Sequence, residues 1–270
     1  MGSGDGLESV TFIVTHFYEF RWLEVWIRKV LEFTPTEVIR EILIIDQDRT
    51  DLSRTRLGLL DSRVRVLQYP RSVQHIAIAS HDHAAVLNRA VLEARGDYIC
   101  ILDSDAFPID SEWFNTCNDL LANNDAILAQ HPTQPFFSHP CFMLLKSQHV
   151  SIPLCFDEGL FTEKKIDTGR RILRQLTEAG QRVTLVPPSR GFSGEWGYVY
   201  LDSIYHHHAG SFHGGTKQLK TQLTWSHHYF RQRVLEDGIF ELNFHQLLFY
   251  RLARHLLQDL YRFKRSLGGC

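Results

Sequence analysis

The chain reads as an α/β protein with a mainly parallel sheet flanked by helices. Three observations predict this class. Short apolar, β-branched runs recur between residues 9 and 102, stretches of helical periodicity separate them, and the runs end on polar residues that would line one rim of a sheet. In such sheets ligands bind beyond the carboxyl ends of the strands.

The elements follow in order. Ser9 to Thr15 is a β-branched run and predicts a buried strand; Arg21 to Phe33 predicts a helix ended by Thr34-Pro35. Glu41 to Ile45 is a second strand, closed by the polar turn Asp46 to Asp51, and Arg63 to Gln68 a third. From His83 to Ala94, apolar residues recur at helical spacing until Arg95-Gly96-Asp97 stops them. Tyr98 to Leu102 is a fourth strand that runs directly into Asp103-Ser104-Asp105. The second half is less regular. Ser111 to Asn123 and Ile166 to Ala179 predict helices, Ala126 to Gln130 and Cys141 to Lys146 strands, and Pro132 to Pro140 and Pro187 to Gly191 loops that could border a groove. Tyr198 to Tyr205 predicts one strand leading into His206-His207-His208. From Thr216 the chain is amphipathic, with an apolar stripe from Phe240 to Phe263 and Arg251, Arg254, Arg262, Lys264 and Arg265 on the other faces. That pattern fits a helix packed on its own domain or on a second copy, or one lying on an anionic membrane. The expected organisation is a flexible stretch 1-8, a catalytic domain 9-215 and a helical extension 216-270.

At 270 residues, 44% hydrophobic and 22% charged, the chain can bury a sizeable core without disulfides. A net charge of −2 argues against a nucleic-acid partner. Five widely spaced cysteines form no zinc-finger or secreted framework, Cys100 reads as core, and Met1 to Gly6 has no apolar signal region. A reducing, cytoplasmic location follows as the expectation.

Asp103-Ser104-Asp105 is the sharpest chemical signal. Two carboxylates one residue apart, just beyond a buried strand, can converge on one hard cation that keeps positions open for phosphate oxygens. Such an ion neutralises charge on a leaving diphosphate. The run His206-His207-His208 does not easily place all three rings on one ion, because consecutive strand residues point to opposite faces.

The segment Ala84 to Ala90 and the run Gly96-Asp97-Tyr98-Ile99-Cys100-Ile101-Leu102-Asp103-Ser104-Asp105 resemble family 2 glycosyltransferases of the GT-A fold, a nucleotide-diphospho-sugar transferase architecture. The opening Phe12 to Phe17 is similar to the family's first strand. The resemblance implies a metal-dependent inverting transfer of a sugar from a nucleotide-diphosphate donor to an acceptor hydroxyl, in glycan or polysaccharide synthesis. It places Thr15 on the base or ribose, Phe17 stacked on the base, and Asp46 and Gln47 near the base edge. Gln47 stands where many members carry a second Asp, which leaves the identity of the base open. His83 would approach the diphosphate or sugar, Asp103 and Ser104 the donor, and Asp167, at the start of its helix, would be the catalytic base. One late histidine, His206 or His207, would complete the metal site with Asp103 and Asp105, and a nitrogen ligand favours Mn2+ over Mg2+. The expected partners are the donor and a glycan or other hydroxyl acceptor, with membrane contact or self-association through residues 216-270. Two alternatives stand beside this: a metal-dependent hydrolase using the Asp/His cluster, and a non-catalytic nucleotide-sugar binding module.

Overall fold

Val10–His16 (β1) is buried at every position but Thr15 and lies in the interior of a seven-stranded sheet. The computed structural model describes residues 7–16, 20–47, 61–69, 79–132, 134–147, 154–157, 168–192 and 197–207. The chain divides into two units, Met1–Ser211 and Phe212–Cys270, and the second lies outside the described residues, as does the amphipathic stretch from Thr216.

The remaining strands are Ile39–Asp46 (β2), Val64–Gln68 (β3), Tyr98–Leu102 (β4), Ala106–Pro108 (β5), Ala126–His131 (β6), Gln134–Lys146 (β7), Val183–Val186 (β8), Pro188–Phe192 (β9), Gly197–Tyr200 (β10) and Ile204–His207 (β11). The helices are Phe20–Phe33 (α1), Ala79–Glu93 (α2), Glu112–Leu121 (α3) and Ile172–Glu178 (α4). The large sheet has the order β3-β2-β1-β4-β7-β6-β8, parallel except where β7 runs against β4 and β6. A second sheet, β5-β11-β10-β9, is antiparallel throughout. The α/β class and the mainly parallel sheet expected from the sequence are both present.

Strand alternation sorts the core into two layers. Ile13, Leu43, Ile99 and Ile101 pack with Val86, Leu87 and Ala90 of α2. Phe12 points the other way, with edge-on contacts to Trp26 of α1 at 6.5 Å and Trp113 of α3 at 6.0 Å. All three of these aromatic side chains are buried, each worth roughly 1.5–3 kcal/mol of transfer free energy. Cys100, Cys117, Cys141 and Cys155 are free thiols. Burial pushes the Cys100 and Cys117 thiols up, as befits core residues. Among the described residues no helix is long and apolar enough to cross a membrane.

The feet of β1, β2 and β4 are tied by one polar network. Glu41 accepts from Arg65 Nε at 2.8 Å, from the Arg95 N–H at 3.0 Å and from the Thr11 hydroxyl at 3.1 Å. Thr11 Oγ1 in turn accepts the Gly96 N–H at 2.8 Å. A Cβ on Gly96 would lie 2.6 Å from the Thr11 nitrogen, so β4 enters beside β1 only through a glycine.

Four expectations need correction. The Pro132 to Pro140 stretch is not a loop: β7 begins at Gln134. Pairing of β7 with β4 stops at Phe142, so the residues before it have β6 alone as neighbour and their prolines remove no ladder bond on the other side. The loop expected at Pro187 to Gly191 is largely β9, an edge strand with Pro188 as its first residue. Tyr198 to Tyr205 is not one strand but the hairpin β10-β11, turning at Leu201 (φ 52°) and Asp202 (φ 56°), positions without the usual glycine or asparagine signal. The helix expected from Ile166 is short. Thr168 to Arg171 are turns, Gly169 takes φ 69°, and α4 begins only at Ile172.

Candidate active site

The polar tips of β1, β2 and β4 lie along one rim, and the β5-β11 pair is tied to the end of β4. The Ala106 N–H bonds Asp103 O at 2.8 Å, and the His207 N–H bonds Asp105 O at 2.9 Å. β11 pairs with β5 so that His206 stands opposite Ala106. The hairpin therefore delivers a histidine to the two carboxylates.

One ligand atom from each of Asp103, Asp105 and His206 lies within 4.8 Å of the others. His206 Nε2 is 3.7 Å from Asp105 Oδ1, and His83 Nε2 of α2 is 3.5 Å from Asp103 Oδ1. Two ionised carboxylates within 4.8 Å of each other repel by roughly 3 kcal/mol or more at an effective dielectric near 20, so the arrangement favours a cation between them. Octahedral coordination at about 2.1 Å sets neighbouring ligands roughly 3 Å apart. The three side chains meet that by closing less than about an ångström each, and two carboxylates with one imidazole form a donor set for a hard or borderline divalent ion. The residues fit the metal that the sequence implies. Ser104, between the carboxylates, and Asp105 are buried, and Asp103 keeps a partly open side chain.

His207 takes the opposite face. Its ring lies 4.9 Å from Trp22, and its Nδ1 is 2.8 Å from the Tyr205 hydroxyl. His206, not His207, joins the carboxylates, which is the alternation expected of adjacent strand residues. His208 lies outside the described residues. Asp82 and His83 do not open their helix, which begins a turn earlier at Ala79.

At the neighbouring rim position, His16 Nδ1 meets Asp46 Oδ1 at 3.0 Å, and Gln68 Nε2 donates to Asp46 Oδ2 at 2.8 Å. Asp46 is fully buried, and the Gln47 N–H bonds His16 O at 2.9 Å. The Asp46 side chain, expected in a polar turn, is thus buried rather than solvated. His16 Nε2 is buried and finds no hydrogen-bond partner among the described residues. Thr15 is half-buried at the same strand tip. Phe17 and Asp167 lie outside the described residues. Asp157, ten residues before Asp167 in the sequence, accepts the Cys155 thiol at 2.7 Å.

Three residues enter that the sequence did not single out. His139 and Cys141 of β7 offer ligand atoms within 4.8 Å of each other and of His206. Burial pushes the Cys141 thiol well up, the negative charge of Asp103 pushes it further, and the Tyr200 hydroxyl in hydrogen-bond contact works against both. His16 is the third. The signal for His139 and Cys141 was their i, i+2 spacing, hidden because the flanking prolines read as a loop.

Residues 11–138 match the family model described as Glycosyl transferase family 2. The match includes Asp103 and Asp105 and ends one residue before His139, leaving His206 beyond it. No curated protein sequence matches the chain. Among solved structures, GalNAc-T7 with UDP, GalNAc and Mn2+ aligns with a TM-score of 0.51 at 10% identity, over 66% of this chain and 42% of that one. A mannosyltransferase from Pyrobaculum calidifontis in complex with GDP-Man and Mn2+ aligns at 0.49 and 17% identity, over 68% and 58%. S. aureus TarS 1-349 aligns at 0.48 and 12%, over 85% and 73%. The chain spans about half the length of the first two of these structures. At such identities the likeness is one of fold, the GT-A fold.

Proposed function

We propose, from the family 2 glycosyltransferase domain that this chain carries, that it transfers a sugar from a nucleotide-diphosphate donor to an acceptor hydroxyl with inversion at the anomeric carbon. The observation that carries this reading is the convergence of Asp103, Asp105 and His206 at the tip of β4, within 4.8 Å of one another. Those three side chains would hold a divalent ion, Mn2+ in preference to Mg2+ because one ligand is an imidazole. When bound, the ion would neutralise charge on the departing diphosphate.

The chain's own residues do the rest. His83, 3.5 Å from Asp103, is set to orient that carboxylate and to donate toward a phosphate or sugar oxygen. Asp46, itself bonded by Gln68, holds the His16 ring in place, so its buried Nε2 is left to meet the edge of a nucleobase beside Thr15 and Gln47, the base on which Phe17 would stack. Asp46 then acts on the base through His16. Asp167 takes the proton from the acceptor hydroxyl as its oxygen attacks. A cytoplasmic location, and self-association or membrane contact through residues 216-270, belong to the same proposal. Sedimentation with acidic liposomes tests the membrane part.

The deciding experiment is a thermal-shift screen of nucleotide sugars with and without Mn2+. A ligand at a hundred times its Kd stabilises the folded state by about 2.7 kcal/mol, so the right donor raises Tm only when the ion is present. A screen in which no nucleotide sugar shifts Tm rejects the reading. Donor binding without transfer to any acceptor leaves the binding module, and phosphoester hydrolysis without a sugar acceptor favours the hydrolase. For the base, Asp167→Asn is expected to keep donor binding and lose turnover; retained turnover removes Asp167 from that role.

A further inference from the structure

We propose that His139, Cys141 and His206 form a second cation site, for a thiophilic ion of the zinc class, which shares His206 with the Asp103–Asp105 site. The two donor sets overlap in that one imidazole, and in each the ligand atoms lie within 4.8 Å of one another.

The architecture supplies the second set from a single strand. His139 and Cys141 are two apart on β7 and share a face. The Asp103 N–H bonds Cys141 O at 3.3 Å, which sets that face against the carboxylate tip. The His139 and His206 rings stand 5.1 Å apart. His139 Nδ1 accepts the Cys141 N–H at 3.1 Å, which ties the ring to its own strand; an ion bound through Nδ1 takes over that lone pair and releases the N–H. Cys141 and His206 are buried, which shields a bound ion from water.

Chemistry separates the two sites. Carboxylates suit hard cations, whereas a thiolate with two imidazoles suits zinc-class ions. Zinc takes sulfur at about 2.3 Å and nitrogen at about 2.0–2.1 Å, which places tetrahedral ligands roughly 3.5 Å apart, a closure of about an ångström from the observed spacing. On binding, the Cys141 thiol releases its proton to solvent, and the thiolate and two neutral imidazoles leave the ion with a net single positive charge. His206 serves one ion at a time. A thiophilic cation therefore withdraws it from Asp103 and Asp105 and antagonises the hard cation. The antagonism rests on the transferase reading above; the binding itself does not.

Cobalt(II) titrated into the metal-stripped full chain tests the site directly, because a cobalt–thiolate bond gives a near-ultraviolet charge-transfer band. The band is expected in the wild type, lost in C141S and in H139Q, and kept in D105N. No band in the wild type, or a band surviving in either of the first two variants, overturns the proposal. His139 is only partly buried, so H139Q decides the matter even where C141S fails to fold. In parallel, zinc is expected to displace Mn2+-supported donor binding in the wild type and to lose that effect in H139Q. Failure of the transferase reading would show as absent donor binding with Mn2+, while the cobalt band still reports on the site.

Discussion

The tips of β2 and β4 each hold an aspartate close to a histidine, and they are built to opposite ends. At the β2 tip, Asp46 is fully buried, with one oxygen 3.0 Å from His16 and the other accepting Gln68 at 2.8 Å. At the β4 tip, the corresponding spacings are 3.5 Å (His83 to Asp103) and 3.7 Å (His206 to Asp105), and a second carboxylate is crowded in. A carboxylate at hydrogen-bond distance from its partners is a structural clamp. Carboxylates and imidazoles held at the longer ion-pair distances, close enough to share an ion, make a ligand cage. Residue type does not distinguish the two; spacing does.

The comparison predicts opposite consequences for removing a carboxylate. Asp105→Asn should lower metal-dependent transfer by about three orders of magnitude, since the ion contributes several kcal/mol to stabilising the departing charge. It should leave the metal-free protein at least as stable, because one of two repelling charges is gone. Steady-state rates and urea melts measure both, and unchanged donor affinity with Mn2+ would break the cage side of the comparison. Asp46→Ala should do the reverse and destabilise the fold by about 3 kcal/mol, since it leaves the buried His16 and the half-buried Gln68 without this acceptor. A stable Asp46→Ala protein would break the clamp side.

A smaller effect tests how the cage is held. A Cβ at position 197 would lie 2.4 Å from His206 O and 3.2 Å from the Tyr205 ring. Gly197→Ala must therefore push β10 off β11, at a cost of about 2 kcal/mol for overpacking, and move His206 with it. Weaker Mn2+ binding by calorimetry, alongside a lower Tm, is the expected pair. Lowered stability with unchanged Mn2+ affinity would show that the hairpin does not set the position of His206.

The first half of the sheet was legible because each strand announces itself. The runs before His16, Asp46 and Asp103 are apolar and β-branched, and Gly96 marks the close approach of β4 to β1. Asp103 and Asp105 were visible for the same reason, as acidic residues at the end of an apolar run. The second half was harder to read. β7 carries Pro135 and Pro140, β9 starts on proline, and the β10-β11 turn is Leu201-Asp202, so local turn chemistry pointed away from the observed strands. Tertiary pairing overrode it, and His139 and Cys141 were missed with it. His16 went unremarked because nothing local reveals that Asp46 will be carried to its side; only the register of β1 against β2 does. The sequence also placed Asp167 at a helix start without showing that Gly169 would delay that helix to Ile172.

The smallest effect concerns the clamp side at its other end. Burial alone pushes the Glu41 carboxyl up, but the Arg65 hydrogen bond and charge, with the Thr11 hydroxyl and the Arg95 N–H, outweigh it and hold the group below its ordinary value. Asp61, bonded to Arg63, and Asp125, bonded to the Arg182 N–H, are lowered as well. A group with a depressed folded value contributes stability that is complete above its unfolded value and is lost as pH falls through the folded one. The fold should therefore weaken on acidification from about pH 5 downward, as these carboxylates take up protons more readily in the unfolded chain. Glu41→Gln keeps the shape but loses the ion pair with Arg65, whose Nε lies 2.8 Å away. It should cost about 1.5 kcal/mol at neutral pH and flatten the acid limb of a stability-against-pH curve measured by urea unfolding. An acid limb as steep in the variant as in the wild type would show that Glu41 is not among the clamps that hold β1, β2 and β3 together.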